Sequence, residues 1–245
     1  MKNELFSKTL AQIVNDNHQA AAVFEKYNLD FCCKGKRSLE VACEERDLPA
    51  EAIAEELDLT VNRNEASTID FNKMSLTTLV DYIVSVHHGY TKEALPQIFR
   101  YLQKVSFKHG DKHNELNQIF DKFSELKDEM ETHMRKEEQV LFPRIQQIES
   151  AFEDGQTGVI SIQMPITVME NEHEHAGNLL KEMRELSNDY IPPADACTTY
   201  RLSFAALQAF EEDLHRHVHL ENNILFPRAI KLSEPGQDCQ RCIIK

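Results

Sequence analysis

The sequence contains no tryptophan, only 7 glycines and 8 prolines, and no apolar run long enough to cross a membrane. Glycine and proline mark turns, and their scarcity disfavours a fold built from many short strands. The chain is instead rich in Glu, Leu, Lys, Ala and Gln, which favour helices. We therefore expect an all-α protein without a membrane-spanning helix.

Basic residues are also few: 27 Lys and Arg stand against 41 Asp and Glu, which gives a formal net charge of −14. Proteins that bind DNA or RNA need basic surface to neutralise phosphates, so this charge argues against nucleic acid as a partner. It also disfavours docking on an anionic membrane. The first residues, MKNELFSK, carry charges where a signal peptide needs an apolar stretch, and we expect a cytoplasmic protein whose six cysteines are mostly reduced.

The chain divides into a short N-terminal part and a long helical part. Residues 1–60 have apolar residues at helical spacing and predict a small helical domain, interrupted by a loop around an adjacent cysteine pair. Residues 61–74 are polar and aperiodic, which predicts a linker. Residues 75–235 predict the main domain, and residues 236–245 a tail.

Four long helical patterns fill the main domain, at about 75–105, 112–149, 161–189 and 196–232. Breaks that contain glycine, aspartate or paired prolines separate them. Four long helices with short connections predict a four-helix bundle.

An internal repeat is the strongest signal in this sequence. The motif H-x3-E-x3-L-F-P-R runs from His133 to Arg144 and recurs 84 residues later, from His217 to Arg228. A further histidine precedes each copy by nearly the same interval, because His88 lies 45 residues before His133 and His173 lies 44 before His217. Each half of the bundle thus supplies one histidine on its first helix and a His-Glu pair on its second.

This pattern suits a pair of metal ions in the core of the bundle. Residues four apart share one face of a helix, so His133 with Glu137, and His217 with Glu221, can point inward together. A bare buried carboxylate is costly, and a bound cation removes that cost. Nitrogen and oxygen ligands without a thiolate suit iron or manganese better than structural zinc. The two glutamates can each bridge two ions, with an oxo or hydroxo group completing the shells.

A single H-x3-E on a helix is more often a surface pair than a metal site, and only the duplication favours ligands. Other histidines are harder to place. Periodicity alone does not choose between His87 and His88. His215 and His219 do not share the ligand face, so we expect them to be solvated or to support the ligands, and His175 is also off the face of His173.

Several segments together resemble the hemerythrin-like di-iron proteins, and most closely the iron–sulfur cluster repair family (RIC, of the ScdA/YtfE type). They are His87-His88-Gly89-Tyr90, both copies of the repeat, Met169-Glu-Asn-Glu-His173, the stretch Pro192-Pro193 to Thr199, and Phe31-Cys32-Cys33-Lys34-Gly35. The resemblance implies a hemerythrin-like four-helix bundle and His88 rather than His87 as ligand. The metal ligands are then His88, His133, Glu137, His173, His217 and Glu221.

The resemblance also implies a function. We expect two non-haem iron ions, bridged by oxo and carboxylate groups, in a protein that repairs iron–sulfur clusters after nitrosative or oxidative stress, by donating iron or removing nitric oxide. Damaged iron–sulfur proteins are then the partners, nitric oxide or oxygen the small ligands, and the family leaves room for a homodimer. A carrier or sensor of oxygen or nitric oxide, and a nitric oxide reductase, are alternatives with the same ligands.

The adjacent Cys32 and Cys33 favour repair over carriage, because a carrier has no need of them, and we take them as the residues that act on the acceptor. Basic residues follow them, at Lys34, Lys36 and Arg37, which should lower a thiol pKa. Cysteines 43 and 197 are expected to be packing residues. The pair Cys239 and Cys242 has metal or redox spacing but lacks two further ligands, so we interpret it as incidental.

Overall fold

The structure is a computed structural model that describes residues 2–63, 69–156 and 161–234. Within these ranges it is helical, and extended pairing is limited to one isolated bridge between Thr9 and Ser38. The all-α prediction is therefore confirmed. None of the helices in these ranges is long and apolar enough to cross a membrane. The predicted tail, residues 236–245 with Cys239 and Cys242, lies outside the described residues, which end at Glu234.

The N-terminal module, residues 2–63, consists of five helices. The side chain of Thr9 accepts a hydrogen bond from the Gln12 amide while the Gln12 side chain bonds back to Thr9, and this capping box starts α2. At the start of α4 the Ser38 side chain accepts a hydrogen bond from the Val41 amide. The loop between α3 and α4 carries the cysteine pair. The helices are α1 (Lys2–Ser7), α2 (Leu10–Asp16), α3 (Ala20–Lys26), α4 (Leu39–Glu44) and α5 (Ala50–Arg63).

The predicted linker, residues 61–74, begins and ends in helical structure. Helix α5 continues to Arg63, and a short 3-10 helix covers Phe71–Lys73. Phe71 is buried there, and its ring packs against Tyr82 with centroids 5.1 Å apart. An aromatic anchor within a polar stretch is easily missed, because periodicity cannot be read from one apolar residue.

Four long helical rods form the bundle, and three of them contain a π-helical turn. The first rod joins α6 (Leu76–Tyr82), π1 (Ile83–His88) and α7 (Gly89–His109). The second joins α8 (Glu115–Lys136), π2 (Glu137–Leu141) and α9 (Phe142–Glu153). The third is α10 (Gln163–Leu186) alone, and the fourth joins α11 (Thr198–Leu220), π3 (Glu221–Leu225) and α12 (Phe226–Ser233). The four predicted helical patterns correspond to these rods.

The Leu-Phe-Pro-Arg of each repeat explains two of the π turns. The amide of Phe142 bonds the carbonyl of Glu137, five residues back, and the amide of Phe226 bonds that of Glu221 in the same way. The proline that follows each phenylalanine has no amide hydrogen and cannot continue the normal ladder. The wider turn absorbs this defect, and such turns are frequent at functional sites.

Two apolar clusters fill the molecule and leave a polar layer between them. One cluster joins the N-terminal module to the α7, α8, α10 and α11 region of the bundle. The other lies at the far end of the bundle, around α6, α9 and α12. The six histidines and glutamates singled out by the repeat lie in the layer between the two. Because the first cluster contains residues of both the N-terminal module and the bundle, the module packs against the bundle through a shared apolar core.

Candidate metal centre

Six side chains from the four rods meet in the polar layer, and all are shielded from solvent. Four are 0% exposed and the other two only 2%, which is exceptional for ionisable groups. The π turns contain three of these residues, since π1 ends at His88, π2 begins at Glu137 and π3 begins at Glu221. The six are His88, His133, Glu137, His173, His217 and Glu221.

The six side chains form two overlapping groups of four. His88 and His217 belong to one group and His133 and His173 to the other, while Glu137 and Glu221 belong to both. The ligand atoms of each group lie within 4.8 Å of one another. Each group thus takes its upstream histidine from one half of the repeat and its motif histidine from the other. A single half could therefore not form either position.

The distances at the centre fit cations between the side chains. Nε2 of His88 lies 3.2 Å from Nε2 of His217, and Nε2 of His173 lies 3.0 Å from Nε2 of His133. Two ring nitrogens in such a contact can share only one proton, which leaves a lone pair directed at the centre. Neither carboxylate oxygen of Glu137 has a hydrogen-bond partner. Buried acceptors without donors are costly, and metal ions would satisfy them.

Three of the four imidazoles are oriented from outside through Nδ1. His88 contacts Glu138 at 2.8 Å, His173 contacts Asn222 at 2.9 Å, and His133 contacts Glu172 at 2.9 Å. An acceptor at Nδ1 keeps the proton there and turns the Nε2 lone pair inward, as in many metal sites. Glu138 and Asn222 are equivalent positions of the repeat, since each follows a central glutamate.

His217 is the exception, since its buried Nδ1 has no hydrogen-bond partner. His87 precedes His88 as Glu172 precedes His173, so His87 occupies in the first half the position that Glu172 has in the second. The His87 ring stacks on the His217 ring with centroids 5.7 Å apart and planes 6° apart, and its own Nδ1 contacts Asp213 at 3.0 Å. On its Nδ1 side His217 is therefore held by ring packing rather than by an acceptor, while its Nε2 contacts Oε1 of Glu221 at 2.9 Å. The structure places His88 among the six buried side chains that meet at the centre and His87 beside them.

The electrostatics of the centre keep the glutamates anionic. Burial opposes ionisation, but His217 and His173 outweigh it and hold the pKa of Glu221 well below its usual range. The pKa of Glu137 is also lowered, by His133 and His88, against burial and the neighbouring charge of Glu221. Conversely, burial would lower the pKa of His133, but Glu137 and Glu172 raise it to about 10. A site that draws positive charge so strongly is suited to cations.

Comparisons with known proteins agree with this geometry. The family model of the hemerythrin HHE cation-binding domain matches residues 79–229, which include all six side chains. The chain belongs to the hemerythrin family. A second family model, the ScdA_N domain of unknown function, matches residues 6–60.

Relatives of this hemerythrin-family chain cover both parts. The iron–sulfur cluster repair protein YtfE of Enterobacter sp. (strain 638) is 36% identical over 90% of this chain and 96% of its own length. The probable iron–sulfur cluster repair protein of Haemophilus influenzae is 36% identical over 86% and 91%. YtfE of Dickeya chrysanthemi is 35% identical over 91% and 97%. The predicted family is thereby confirmed.

Two histidines near the hemerythrin ligands have a role that the sequence did not indicate. His219 was expected to be solvated or to support the ligands, but it is 3% exposed and contacts Oδ1 of Asn15 at 2.9 Å and the Phe31 carbonyl at 3.3 Å. Burial lowers its pKa to about 4. His215 contacts Glu25 at 2.9 Å. Both bind the N-terminal module, and only a tertiary structure could show this. His175 is exposed beside Glu125 and Glu129.

The cysteine pair lies in the N-terminal module close to the hemerythrin centre. Cys32 is buried, Cys33 is partly exposed, and their sulfurs are 3.8 Å apart. The amide of Asn223 donates to the Cys32 carbonyl at 2.9 Å, from a residue only two positions after Glu221. A cavity of about 230 Å³ has Cys32, Cys33 and Asn222 in its lining.

The expected effect of the neighbouring lysines and arginine on the thiols is wrong for Cys32. The adjacent Cys33, burial and Asp30 raise the pKa of Cys32 well above its usual range. The basic side chains follow in the sequence, but the side chain that contacts the Cys32 sulfur is the Asp30 carboxylate, at 3.3 Å. Asp30 and Lys34 are equally close to Cys32 in the sequence, so only the structure shows which of the two charges reaches the sulfur. Cys43 is buried, and Cys197 is partly buried against His109, with its sulfur 3.3 Å from Nε2.

Proposed function

We propose that this chain binds two iron ions in its buried centre and repairs iron–sulfur clusters damaged by nitrosative or oxidative stress. The observation that carries the proposal is the pair of four-residue groups that share Glu137 and Glu221. A hard nitrogen-oxygen donor set with no thiolate among the six side chains favours iron or manganese. The names of the relatives supply the repair reaction.

Iron at this centre would supply redox chemistry and exchangeable metal. The residues of the chain have separate tasks. Glu137 and Glu221 provide the negative charge that both positions share. The imidazoles of His88, His133, His173 and His217 provide neutral donors. The outer partners Glu138, Glu172 and Asn222 keep three of those rings in place.

An open cavity borders one side chain of the centre. It has a volume of about 620 Å³ between α8 and α10, and its lining includes the ligand His133 with Glu172 and Glu129. Glu172 in this lining pairs with Lys136, while Asp128 and Glu129 leave an excess of negative charge, which favours a cation over an anion. This opening supports exchange of metal with an acceptor, which a repair protein that donates iron requires.

The cysteine pair and the division of the chain complete the proposal. We infer that Cys32 and Cys33 act on the acceptor, in a domain of residues 1–60 joined through residues 61–74 to the bundle of residues 75–235. Damaged iron–sulfur proteins as partners, nitric oxide or oxygen as ligands, a homodimer and a cytoplasmic location stay predictions. Proximity of the thiols to π3 favours repair over simple carriage of a gas.

Metal analysis of the purified protein tests the centre. We expect about two iron ions per chain and a Mössbauer spectrum of nitrogen- and carboxylate-bound high-spin iron, because the ligand set consists of two copies of one half-site. One tightly bound zinc ion and no iron would contradict the proposal.

The double variant Cys32→Ser, Cys33→Ser tests the role of the thiols. It should keep its iron, since no thiolate belongs to the buried centre, and lose most of its ability to restore the activity of a nitric-oxide-damaged iron–sulfur protein. Cys43→Ser, a buried cysteine of the same module, is the matched control. Intact repair in the double variant would remove the thiols from the mechanism. Loss of iron would show that the two sites depend on each other.

A further inference from the structure

The loop between α3 and α4 brings three potential metal ligands together outside the buried centre. One oxygen of Asp30 and the two sulfurs of Cys32 and Cys33 lie within 4.8 Å of one another. We propose that Asp30, Cys32 and Cys33 form a second metal site, which takes a single thiophilic divalent cation such as Zn²⁺ or Fe²⁺. This proposal does not depend on the repair activity, because it concerns binding by the protein alone.

The backbone of the loop explains why two adjacent cysteines can act on one ion. Side chains of neighbouring residues normally diverge, and an extended chain would turn the two sulfurs apart. Here Oδ1 of Asp30 accepts three successive amides, from Cys32 at 3.1 Å, Cys33 at 2.9 Å and Lys34 at 3.2 Å. This curls the backbone around the carboxylate, and the sulfurs end 3.8 Å apart. The loop is therefore arranged for chelation without further movement of the main chain.

The bundle fixes the loop from the other side. Asn223 donates to the Cys32 carbonyl, and His219 contacts the Phe31 carbonyl, so the residues on the N-terminal side of the pair are tied to α11 and π3. Phe31 itself is 1% exposed and lies against His219 with ring centroids 5.5 Å apart. A Cβ added at Gly177 of α10 would lie 4.0 Å from the Cys33 sulfur, so this thiol lies directly over that helix.

The site has an open side. The same three residues line a cavity of about 710 Å³ between the module and the bundle, and the two cysteines also line the smaller cavity of about 230 Å³. Three protein ligands with one position facing a cavity are typical of an exchanging or catalytic site, whereas structural zinc sites have four. The ligand chemistry is softer than that of the buried centre, so this site has the stronger preference for thiophilic ions.

Binding of a divalent ion at this site requires no oxidant or reductant. Two S–H bonds break, two metal–sulfur bonds and one metal–oxygen bond form, and two protons pass to solvent. The carboxylate and two thiolates then carry one negative charge more than the cation neutralises. Lys34, which lines both cavities, is the adjacent positive side chain that offsets it.

Cobalt titration of the full-length, reduced protein under anaerobic conditions tests the proposal. Co²⁺ bound by thiolates shows an intense sulfur-to-metal charge-transfer band in the near ultraviolet, whereas nitrogen and carboxylate ligands give none. Because Cys239 and Cys242 also have metal-binding spacing, the titration uses the Cys239→Ser, Cys242→Ser background. We expect a thiolate band that saturates at one equivalent for this site.

Three variants in that background identify the ligands. Cys32→Ser with Cys33→Ser should abolish the band, and Cys43→Ser should leave it unchanged. Asp30→Asn keeps an oxygen for the three amides but loses the charge, and should weaken Co²⁺ binding about tenfold or more. A band that persists without both thiols, or no band in the background protein, would overturn the proposal.

Thiol footprinting tests the same site without any substitution, and so does not depend on whether the double variant folds. Saturation of the unmodified protein with Zn²⁺ should slow alkylation of Cys33 at least tenfold, as read by mass spectrometry of the peptide that contains it. Cys197, which is partly exposed and distant in the sequence, serves as the internal control and should react at an unchanged rate. Equal rates at Cys33 with and without Zn²⁺ would contradict the site.

Discussion

At the scale of single residues, the buried centre depends on two carboxylates of whose four oxygens only one, Oε1 of Glu221, has a hydrogen-bond partner, the Nε2 of His217 at 2.9 Å. Glu137 has no hydrogen bond at either oxygen, and Glu221 has none at Oε2. In a protein interior such groups persist only where something else neutralises them. The four imidazoles around them come from all four rods, so the charge of the glutamates is shared by the entire cross-section of the bundle.

Replacement of Glu137 or Glu221 by Gln should lower the metal content of the purified protein to below half of the wild-type value. Glutamine keeps the shape of the side chain but removes the charge that both metal positions share. Elemental analysis of the purified variants measures the loss. The control is His175→Ala, at an exposed residue outside both groups, which should retain its metal. Equal metal loss in all three variants would contradict the assignment of the two glutamates.

At the scale of secondary structure, adjacent residues of π3 contact both the metal centre and the N-terminal module. The turn begins with Glu221, and the next two side chains point to different partners. Asn222 accepts from His173 of the centre, whereas Asn223 donates to the carbonyl of Cys32. Pro227 also cannot donate to the carbonyl of Asn223, four residues back, and that carbonyl accepts a bond of 3.3 Å from Asn15 instead. One turn thus contacts the metal centre and the N-terminal module.

The two asparagines form a matched pair of variants. Asn222→Ala should weaken metal binding about 10- to 100-fold, because His173 loses the acceptor that orients its ring. Asn223→Ala should leave metal affinity unchanged and speed the alkylation of Cys33, because the loop loses its bond to π3. Competition with a chromophoric chelator measures the first effect and thiol labelling the second. The same affinity loss in both variants would show that the turn acts as one unit.

At the scale of the whole molecule, the N-terminal module and the bundle share one apolar cluster and several polar contacts. His219 is at the middle of these contacts, between Asn15 and Phe31, and His215 contacts Glu25 beside it. A neutral ring suits the buried position of His219, since burial lowers the pKa of His219 to about 4. The module is thereby held with its cysteine loop over α10 and π3.

His219→Ala should loosen the module without emptying the metal centre. The variant loses two contacts and leaves a void at a buried position, for which we expect a loss of about 1–3 kcal/mol in the free energy of unfolding. Hydrogen exchange should rise in residues 10–33 and stay unchanged in α8. His175→Ala, an exposed histidine, should change the free energy by less than about 0.5 kcal/mol. Indistinguishable exchange in the two variants would contradict the role of His219.

The helical class, the bundle and five of the six polar side chains at its centre could be predicted from local rules: helical periodicity, the i,i+4 spacing of each His-Glu pair, and a repeat that places equivalent residues in each half. The sixth, His88, could not be told from His87 by periodicity, and the family resemblance indicated it. The pairing of His88 with His217 and of His133 with His173 was decided only by the tertiary structure, because ligands of one position come from different halves. The same holds for His215 and His219, which contact residues about 190 positions away in the sequence. Periodicity describes one helix at a time, whereas such contacts depend on how separate helices pack. That packing also brought the loop of Cys32 and Cys33 into contact with π3, the turn that begins at Glu221.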